Sequence, residues 1–140
     1  PESEIVDFYS GVGAIGLSIG AKTLVESNEE AVSFANENIR LNGAVGAHCH
    51  APMLAEKALE YITEGSTVVF DPPRAGLHEK VIDRILEVRP KKIIYLSCNI
   101  ATQARDIGMI KETYTIKLIK LYNFFPRTPH IESLCVLELK

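Results

Sequence analysis

The sequence has no excess of positive charge. Eighteen Asp and Glu residues outnumber 15 Lys and Arg residues, which gives a formal net charge of −3 at pH 7. The basic residues are scattered along the chain. Composition therefore argues against a protein that binds nucleic acid through its overall charge, and contact with RNA or DNA would need a local basic patch or further polypeptide.

Paired cysteines are also missing. The chain has three cysteines, Cys49, Cys98 and Cys135, and no C-x-x-C pair. An odd number without that spacing argues against a disulfide framework and against a structural zinc site. His48 and His50 flank Cys49, but the alternation of side chains along a strand argues against a metal site there. A reducing, cytoplasmic setting and a protein without a metal are the interpretations that fit.

Long apolar runs and targeting signals are absent as well. No run approaches the roughly 18 residues of a membrane span, and no basic stretch followed by an apolar one marks a signal peptide. The chain lacks an initiator Met and has no internal repeat or flexible linker. With 140 residues and 46% hydrophobic content it can bury one core. We expect a single domain, residues 1–140, that is a fragment of a longer polypeptide.

What the chain does have is an alternation of strand-like and helix-like segments. Strands are predicted at 5–9, 23–27, 45–49, 66–71 and 92–97, and helices at 13–21, 28–43, 52–62, 78–90 and 101–110. This order predicts an α/β fold with a mostly parallel, doubly wound sheet. Two further extended runs, 114–125 and 131–140, are joined only by "PRTPH", so the last strand must be antiparallel.

The carboxyl edge of such a sheet is where ligands bind. "SGVGAIG" places Gly11, Gly13 and Gly16 at this edge in the G-x-G-x-x-G spacing, which either admits a ligand close to the backbone or simply makes a tight turn. Glu26 ends the second strand. It is either a solvated residue or an acceptor for both ribose hydroxyls of an adenosine-containing cofactor. The glycine loop and Glu26 do not distinguish NAD from S-adenosylmethionine as the cofactor.

Three further residues at this edge are candidates for chemistry. Asp71 opens "DPPRAGL", whose prolines hold it in an extended backbone, where it either positions a planar substrate or serves as a turn residue. Cys98 lies between "IIYLS" and a predicted helix, whose N-terminus would stabilise a thiolate. The alternative for Cys98 is a buried packing residue, which is our assignment for Cys49 and Cys135. Glu132 is either an exposed edge residue or, if the last strand lies beside the fifth, a general base next to Cys98.

Four motifs in order resemble one known family. "DFYSGVGAIGL", "DPPRAGL", "YLSCNIATQARDI" and "FFPRTPHIES" resemble the catalytic domain of the RNA 5-methyluridine methyltransferases, which methylate uracil C5 in tRNA or rRNA. The likeness covers essentially the whole chain. It implies a Rossmann-like, S-adenosylmethionine-dependent methyltransferase fold, and RNA-binding and connecting domains N-terminal to this fragment. The chain departs from the family pattern at Asn123, where the family has Asp, and in "HCHAPM", where the family has an acidic residue near the adenine.

The resemblance also implies roles for individual residues. Cys98 would be the nucleophile and Glu132 the general base. Asp71 would contact both the cofactor and the target uracil. The other implied cofactor-binding residues are Tyr9, Ser10, Gly11, Gly13, Gly16 and Glu26, and the other implied substrate-binding residues are Pro72, Arg74 and Asn99.

The chemistry of uracil explains why a thiol and a carboxylate are needed. C5 is too poor a nucleophile to accept a methyl group directly. Addition of a thiolate at C6 makes C5 an enolate carbon, and a base must later remove the C5 proton so that the thiolate can leave. No metal is required, and a stacked target base would have to be flipped out.

Two other functions remain as alternatives. A non-catalytic cofactor-binding or RNA-complex scaffold would keep the fold but would not need both Cys98 and Glu132. A dinucleotide oxidoreductase would account for the glycine loop but would leave "DPPR" and Cys98 unexplained.

Overall fold

The computed structural model describes residues 3–140 and contains a seven-stranded sheet flanked by helices. The strands are β1 (Ile5–Phe8), β2 (Thr23–Val25), β3 (His48–Cys49), β4 (Thr67–Phe70), β5 (Lys92–Ser97), β6 (Tyr114–Tyr122) and β7 (Glu132–Leu139). The α-helices are α1 (Ala14–Ser18), α2 (Glu29–Leu41), α3 (Glu79–Val88) and α4 (Ile100–Ile110). Within residues 3–140 no helix is both long and apolar enough to cross a membrane.

The strand order confirms the predicted doubly wound sheet. It is β3-β2-β1-β4-β5-β7-β6, with β1 to β5 parallel and β7 antiparallel to both of its neighbours. The chain winds outward from β1 in one direction and then starts again at β4 in the other. Ligands of open sheets bind where the winding reverses, so the crevice at the carboxyl ends of β1 and β4 is the expected site.

The core lies on both faces of the central strands. On one face, Val6, Phe8, Val68 and Phe70 belong to a large apolar cluster to which α3 contributes Val81, Ile82 and Ile85. On the other face, α2 packs against β2 and β3 in a smaller cluster. Burial of each large side chain contributes about 1.5–3 kcal/mol, so β1 and β4 form the rigid base on which the carboxyl edge is built.

Helix α2 begins as predicted and buries a narrow face. The Asn28 side chain caps it by accepting from Ala31 N at 2.9 Å. Phe34 and Leu41 are 54% and 64% exposed, and the residues of α2 that are buried are Val32 and Ala35. The strands beneath α2 are only two and three residues long, and they offer too narrow a surface to cover a wider apolar stripe.

The segment 52–62 was predicted as one helix, and that prediction is wrong. It contains two 3-10 helices, Ala55–Lys57 and Leu59–Tyr61. Leu54 offers no capping side chain, and Ala58 between the two turns leaves helical geometry with φ −110° and ψ 25°. Its apolar residues still contribute to the core, because Ala55, Ala58 and Ile62 are buried.

Candidate active site

The loop after β1 begins with a strained residue. Tyr9 has a φ of +59°, in the left-handed region. For a side chain other than glycine this conformation costs about 1–2 kcal/mol and is often found at functional sites. The Tyr9 ring packs against the main core, and burial raises the pKa of its hydroxyl to about 12. Tyr9 therefore fixes the direction in which the glycine loop leaves the sheet.

Packing within the chain accounts for two of the three loop glycines. Gly13 precedes α1 with a φ of +87°, and a Cβ there would lie 2.8 Å from Leu24 Cδ2. A Cβ at Gly16 would lie 2.5 Å from Asp7 Oδ2, which accepts a hydrogen bond from Gly16 N at 2.9 Å. Gly11 is different, since nothing lies within 4 Å of the position that a Cβ would take. Gly11 is thus the glycine that leaves room for a ligand.

Glu26 lies at the carboxyl edge, beside the glycine loop. Its Oε2 accepts from Gly11 N at 2.8 Å, and its Oε1 accepts from Ser27 N and Asn28 N at 2.8 and 2.9 Å. A carboxylate has about four acceptor positions, so roughly one remains on Oε2. This arrangement accommodates one ribose hydroxyl, and a second would have to share Oε1 or replace a backbone donor.

Ser10 supplies an unused hydroxyl in the same loop. Its backbone N donates to Val25 O at 3.0 Å, which ties the loop to β2. Its Oγ is buried and has no hydrogen-bond partner among residues 3–140. A buried hydroxyl without a partner is unfavourable by about 1–3 kcal/mol. Ser10 Oγ, the space at Gly11 and the free acceptor of Glu26 together fit a ligand that carries hydroxyl and amino groups.

Asp7 adds a buried carboxyl group beneath this loop. It is 1% exposed, and its pKa is raised from 3.8 to about 7, first by burial and then by the charges of Asp71 and Glu26. The three carboxyl groups are therefore close enough to influence one another. This acidic edge favours a cationic ligand and disfavours a pyrophosphate.

The raised pKa of Asp7 predicts how stability changes with pH. Because the folded protein holds this proton more tightly than the unfolded chain, the free energy of unfolding should fall as pH rises from about 4 to 7, by up to about 1.4 kcal/mol per pH unit, and then level off. Asp7→Asn should remove this slope, since the amide stays neutral and can still accept from Gly16 N. Urea unfolding between pH 4.5 and 8 measures it, with the exposed Asp83→Asn as the control that should keep the wild-type slope. If the free energy of unfolding of Asp7→Asn depended on pH as the wild type does, the raised pKa would not belong to Asp7.

The loop 71–77 is tied to the start of α4. Arg74 O accepts from Asn99 Nδ2 at 3.0 Å and from Thr102 Oγ1 at 2.9 Å. Asn99 Oδ1 caps α4 by accepting from Ala101 N at 3.1 Å. The side chain of Asn99 therefore bonds within its own chain. Through Arg74 O it ties the loop that carries Asp71 to the start of α4, directly after Cys98.

A buried carboxylate makes the second tie between this loop and α4. Asp106 is 1% exposed, and its Oδ2 accepts from Leu77 N at 2.8 Å and from the Tyr95 hydroxyl at 2.7 Å. Arg105 pairs with its other oxygen at 2.8 Å. Burial and this hydrogen bond raise the pKa of Tyr95. Asp106 was not singled out in the sequence, because its importance arises from contacts with residues that are 11 and 29 positions away.

Removal of this carboxylate should destabilise the domain. Asp106→Ala leaves the Leu77 N–H and the Tyr95 O–H buried without acceptors, and we expect a loss of about 2–5 kcal/mol in the free energy of unfolding. Urea denaturation measures the loss. The control is Asp83→Ala on α3, which is exposed and should change stability by less than about 0.5 kcal/mol. If Asp106→Ala were as stable as Asp83→Ala, the hydrogen bonds to Asp106 would not stabilise the domain.

The pairing of β5 with β7 ends one residue before Cys98 and Glu132. The last pair of this ladder is Ser97 with Ser133, and continuation of the register by one residue would bring Cys98 opposite Glu132. Side chains at such opposed positions have Cβ atoms about 4.5–5.5 Å apart. Cys98 is half-buried and precedes Asn99, the N-cap of α4. The expected insertion of the last strand beside the fifth is confirmed.

The other two cysteines are packing residues, as predicted. Cys49 is 7% and Cys135 is 1% exposed, and both belong to apolar clusters. Burial raises the pKa of both thiols, that of Cys135 to about 11. All three cysteines are free thiols, and only Cys98 is partly accessible.

A cavity of about 550 Å³ opens beside Glu132. It is lined by two carboxylates, Asp71 and Glu132, and by aromatic and aliphatic side chains that include Tyr122, Phe124, Phe125, Leu96 and Leu134. The pKa of Asp71 is raised, first by burial and then by the nearby charge of Glu132. The structure therefore brings Asp71 and Glu132 together, and Cys98 follows directly on β5, whose Leu96 lines the same cavity. The aromatic residues were missed in the sequence, although "NFF" before a proline-bounded loop is a signal of exposed rings.

Pro72 and Arg74 lie beside this cavity rather than in its described lining. Pro72 is buried directly after Asp71, and the Arg74 side chain is exposed. The two histidines next to β3 contact each other, with His48 Nε2 and His50 Nε2 2.9 Å apart, and Tyr61 stacks on His50 with ring centroids 4.1 Å apart. Within residues 3–140 no group of three or more His, Cys, Asp or Glu residues could hold a metal ion.

Comparison with known proteins assigns the family. The model of the tRNA (uracil-5-)-methyltransferases matches residues 54–140. Uncharacterized RNA methyltransferases of Mycoplasma mobile and Lactobacillus johnsonii are 41% and 42% identical to this chain over 96% and 99% of its length. The chain spans only 38% and 32% of those two relatives.

Solved structures agree with this assignment. The tRNA (uracil-54, C5)-methyltransferase of Pyrococcus abyssi, solved with S-adenosyl-L-homocysteine, is 37% identical and superposes with a TM-score of 0.83, over 98% of this chain and 34% of its own. An rRNA methylase of Streptococcus thermophilus is only 17% identical, has a TM-score of 0.72 and shares the fold. The fold is that of the S-adenosylmethionine-dependent methyltransferases, and the chain belongs to the tRNA (uracil-5-)-methyltransferase family.

Proposed function

We propose that this chain is the catalytic domain of an enzyme that transfers a methyl group from S-adenosylmethionine to C5 of a uridine in tRNA or rRNA. The observation that carries the proposal is that the pairing of β5 with β7 ends one residue before Cys98 and Glu132, at the edge of the cavity that Glu132 and Asp71 line. Continuation of this register would bring together a thiol and a carboxylate, the two groups that methylation at uracil C5 requires. A scaffold would need neither.

In this proposal the glycine loop and Glu26 hold the cofactor. Ser10 Oγ and the free acceptor of Glu26 bind its polar groups, and Gly11 gives it room. The carboxylates of Glu26 and Asp71 attract the positive charge of a sulfonium and repel the phosphates of NAD. S-adenosylmethionine supplies the methyl group that C5 of the uracil accepts.

The residues around the cavity carry out the remaining steps. The Cys98 thiolate forms a bond to C6 of the uracil, and the electron pair of the C5–C6 double bond moves to C5 and O4. Asp71 holds the base in place by hydrogen bonding to its N3–H. After methylation, Glu132 takes the proton from C5, the double bond reforms, and the bond between Cys98 and C6 breaks to regenerate the thiolate.

The RNA partner requires more polypeptide than this chain supplies. The chain spans about a third of the curated relatives that it matches, and its net charge is negative. We propose that a preceding RNA-binding part selects the RNA, and that the enzyme acts in the cytoplasm, where three free thiols stay reduced.

Cofactor binding gives a direct prediction. S-adenosylhomocysteine at about 100 times its Kd should stabilise the domain by about 2.7 kcal/mol, which raises Tm by about 5–10 °C, whereas NAD should not change Tm. Glu26→Gln should weaken the shift, and Glu30→Gln, an exposed residue of α2, should leave it unchanged. A shift with NAD alone would favour the oxidoreductase instead.

The test of the reaction is the release of tritium from RNA labelled at uridine C5. Methylation at C5 must expel the C5 hydrogen, so methyl incorporation and tritium release should rise together in equal amounts. Methylation without tritium release would mean that the methyl group goes to another atom, such as a ribose oxygen. In a fusion of this chain with the N-terminal region of one of its longer relatives, cofactor binding without methylation would favour the scaffold.

A further inference from the structure

We propose that the end of the β6–β7 hairpin binds the nucleotide adjacent to the target uridine, by stacking its base on an aromatic shelf formed by Tyr122, Phe124 and Phe125. The inference rests on the proposed function, because it places the shelf beside a reacting base. The inference assigns to the aromatic shelf the nucleotide next to the target uridine, and not the target uridine itself.

The geometry of the shelf suits a nucleobase. The rings of Tyr122 and Phe124 are parallel to within 5°, with centroids 5.4 Å apart. Tyr122 is 36%, Phe124 65% and Phe125 54% exposed. Exposed aromatic planes are the surfaces on which unpaired bases of single-stranded RNA stack.

The shelf is continuous with the reactive site. Tyr122 pairs with Glu132 across β6 and β7, and the next residue of β7, Ser133, pairs with Ser97, which directly precedes Cys98. Tyr122, Phe124, Glu132 and Asp71 all line the same cavity. A strand of RNA with one base flipped toward Cys98 therefore has its neighbouring base close to the shelf.

The charge of this region favours RNA over an apolar protein segment. Residues 111–130 contain four Lys and Arg residues and a single Glu, in a chain whose net charge is −3. Lys120 is two positions from Tyr122 on the same strand face, and Arg127 lies in the loop after the shelf. Lysines on an edge strand also prevent sheet pairing, but that role needs neither Arg127 nor exposed rings. Cations beside stacking surfaces are the usual combination for binding single strands.

The test compares short RNAs that differ only next to the reacting base. Trinucleotides with a central 5-fluorouridine are offered, with S-adenosylmethionine, to a fusion of this chain with the N-terminal region of one of its longer relatives, and each flanking nucleotide is replaced in turn by an abasic one. The readout is the rate at which the covalent adduct on Cys98 forms, measured by intact mass. Removal of one flanking base should slow adduct formation by the wild-type protein by about 5- to 150-fold.

Phe124→Leu should abolish this dependence on the flanking base, because leucine keeps apolar area but has no ring face. Phe34→Leu, at a similarly exposed phenylalanine on α2, should keep the wild-type dependence. Equal rates with and without the flanking base, or an unchanged dependence in Phe124→Leu, would overturn the inference and leave the shelf as a surface for apolar polypeptide. Absence of an adduct with every trinucleotide would instead overturn the proposed function, and the inference with it.

Discussion

Cys98→Ala is expected to abolish methyl transfer and covalent attachment to RNA while S-adenosylhomocysteine still raises Tm. Without the sulfur no bond to C6 forms, and C5 remains too weakly nucleophilic to accept the methyl group. Removal of a nucleophile reduces turnover by more than about 10⁴-fold in comparable enzymes. The measurements are the rate of methyl incorporation and the mass of the protein after incubation with RNA.

A second cysteine provides the control for this variant. Cys49→Ala removes a buried thiol from the smaller apolar cluster and leaves Cys98 in place. It should lower stability by about 1–2 kcal/mol but keep the adduct. Methyl transfer by Cys98→Ala at the wild-type rate would show that the reaction does not pass through this thiol.

Glu132→Gln is expected to have the opposite effect on the adduct. The thiolate can still add to C6, but no carboxylate remains to take the proton from C5, so the methylated base stays bonded to Cys98. Turnover should fall by about 10²- to 10⁴-fold, and the covalent species should accumulate with ordinary uridine. Denaturing gels and intact mass detect it.

The matched control lies on the same strand. Glu138 is near the other end of β7 and forms an ion pair with Lys92 at 3.0 Å. Glu138→Gln removes one carboxylate from β7, and since the pair is exposed it should change stability little and leave turnover unchanged. A Glu132→Gln variant with normal turnover, or with neither turnover nor adduct, would contradict the role of a base that acts after addition.

The sequence predicted the features that depend on local pattern. The alternation of strands and helices predicted the parallel part of the sheet, and the short "PRTPH" connection predicted that β7 is antiparallel. The strand order and directions confirm both. Because β7 returns to the carboxyl edge next to β5, these two features bring the start of β7, with Glu132, to the end of β5, after which Cys98 follows. The sequence could therefore predict this placement, and the catalytic roles of Cys98 and Glu132 remain a proposal.

The remaining features depend on contacts between distant residues. The helical pattern of 52–62 did not predict two 3-10 helices, since the break at Ala58, with φ −110° and ψ 25°, is a feature of the folded chain. The role of Asp106 follows from two hydrogen bonds across 11 and 29 positions. The parallel stacking of Tyr122 on Phe124 requires the hairpin to turn, and composition alone cannot show it.

The most direct measurement is the mapping of a covalent adduct with RNA that contains 5-fluorouridine, in the presence of S-adenosylmethionine. Fluorine at C5 cannot leave as a proton does, so the methylated base should stay bonded to the enzyme. The comparison is between this chain and a fusion with the N-terminal region of one of its longer relatives. We predict an adduct on Cys98 in the fusion, with a weaker one or none in the chain alone. No adduct in either protein, although S-adenosylhomocysteine raises the Tm of both, would contradict catalysis through Cys98 and favour a scaffold.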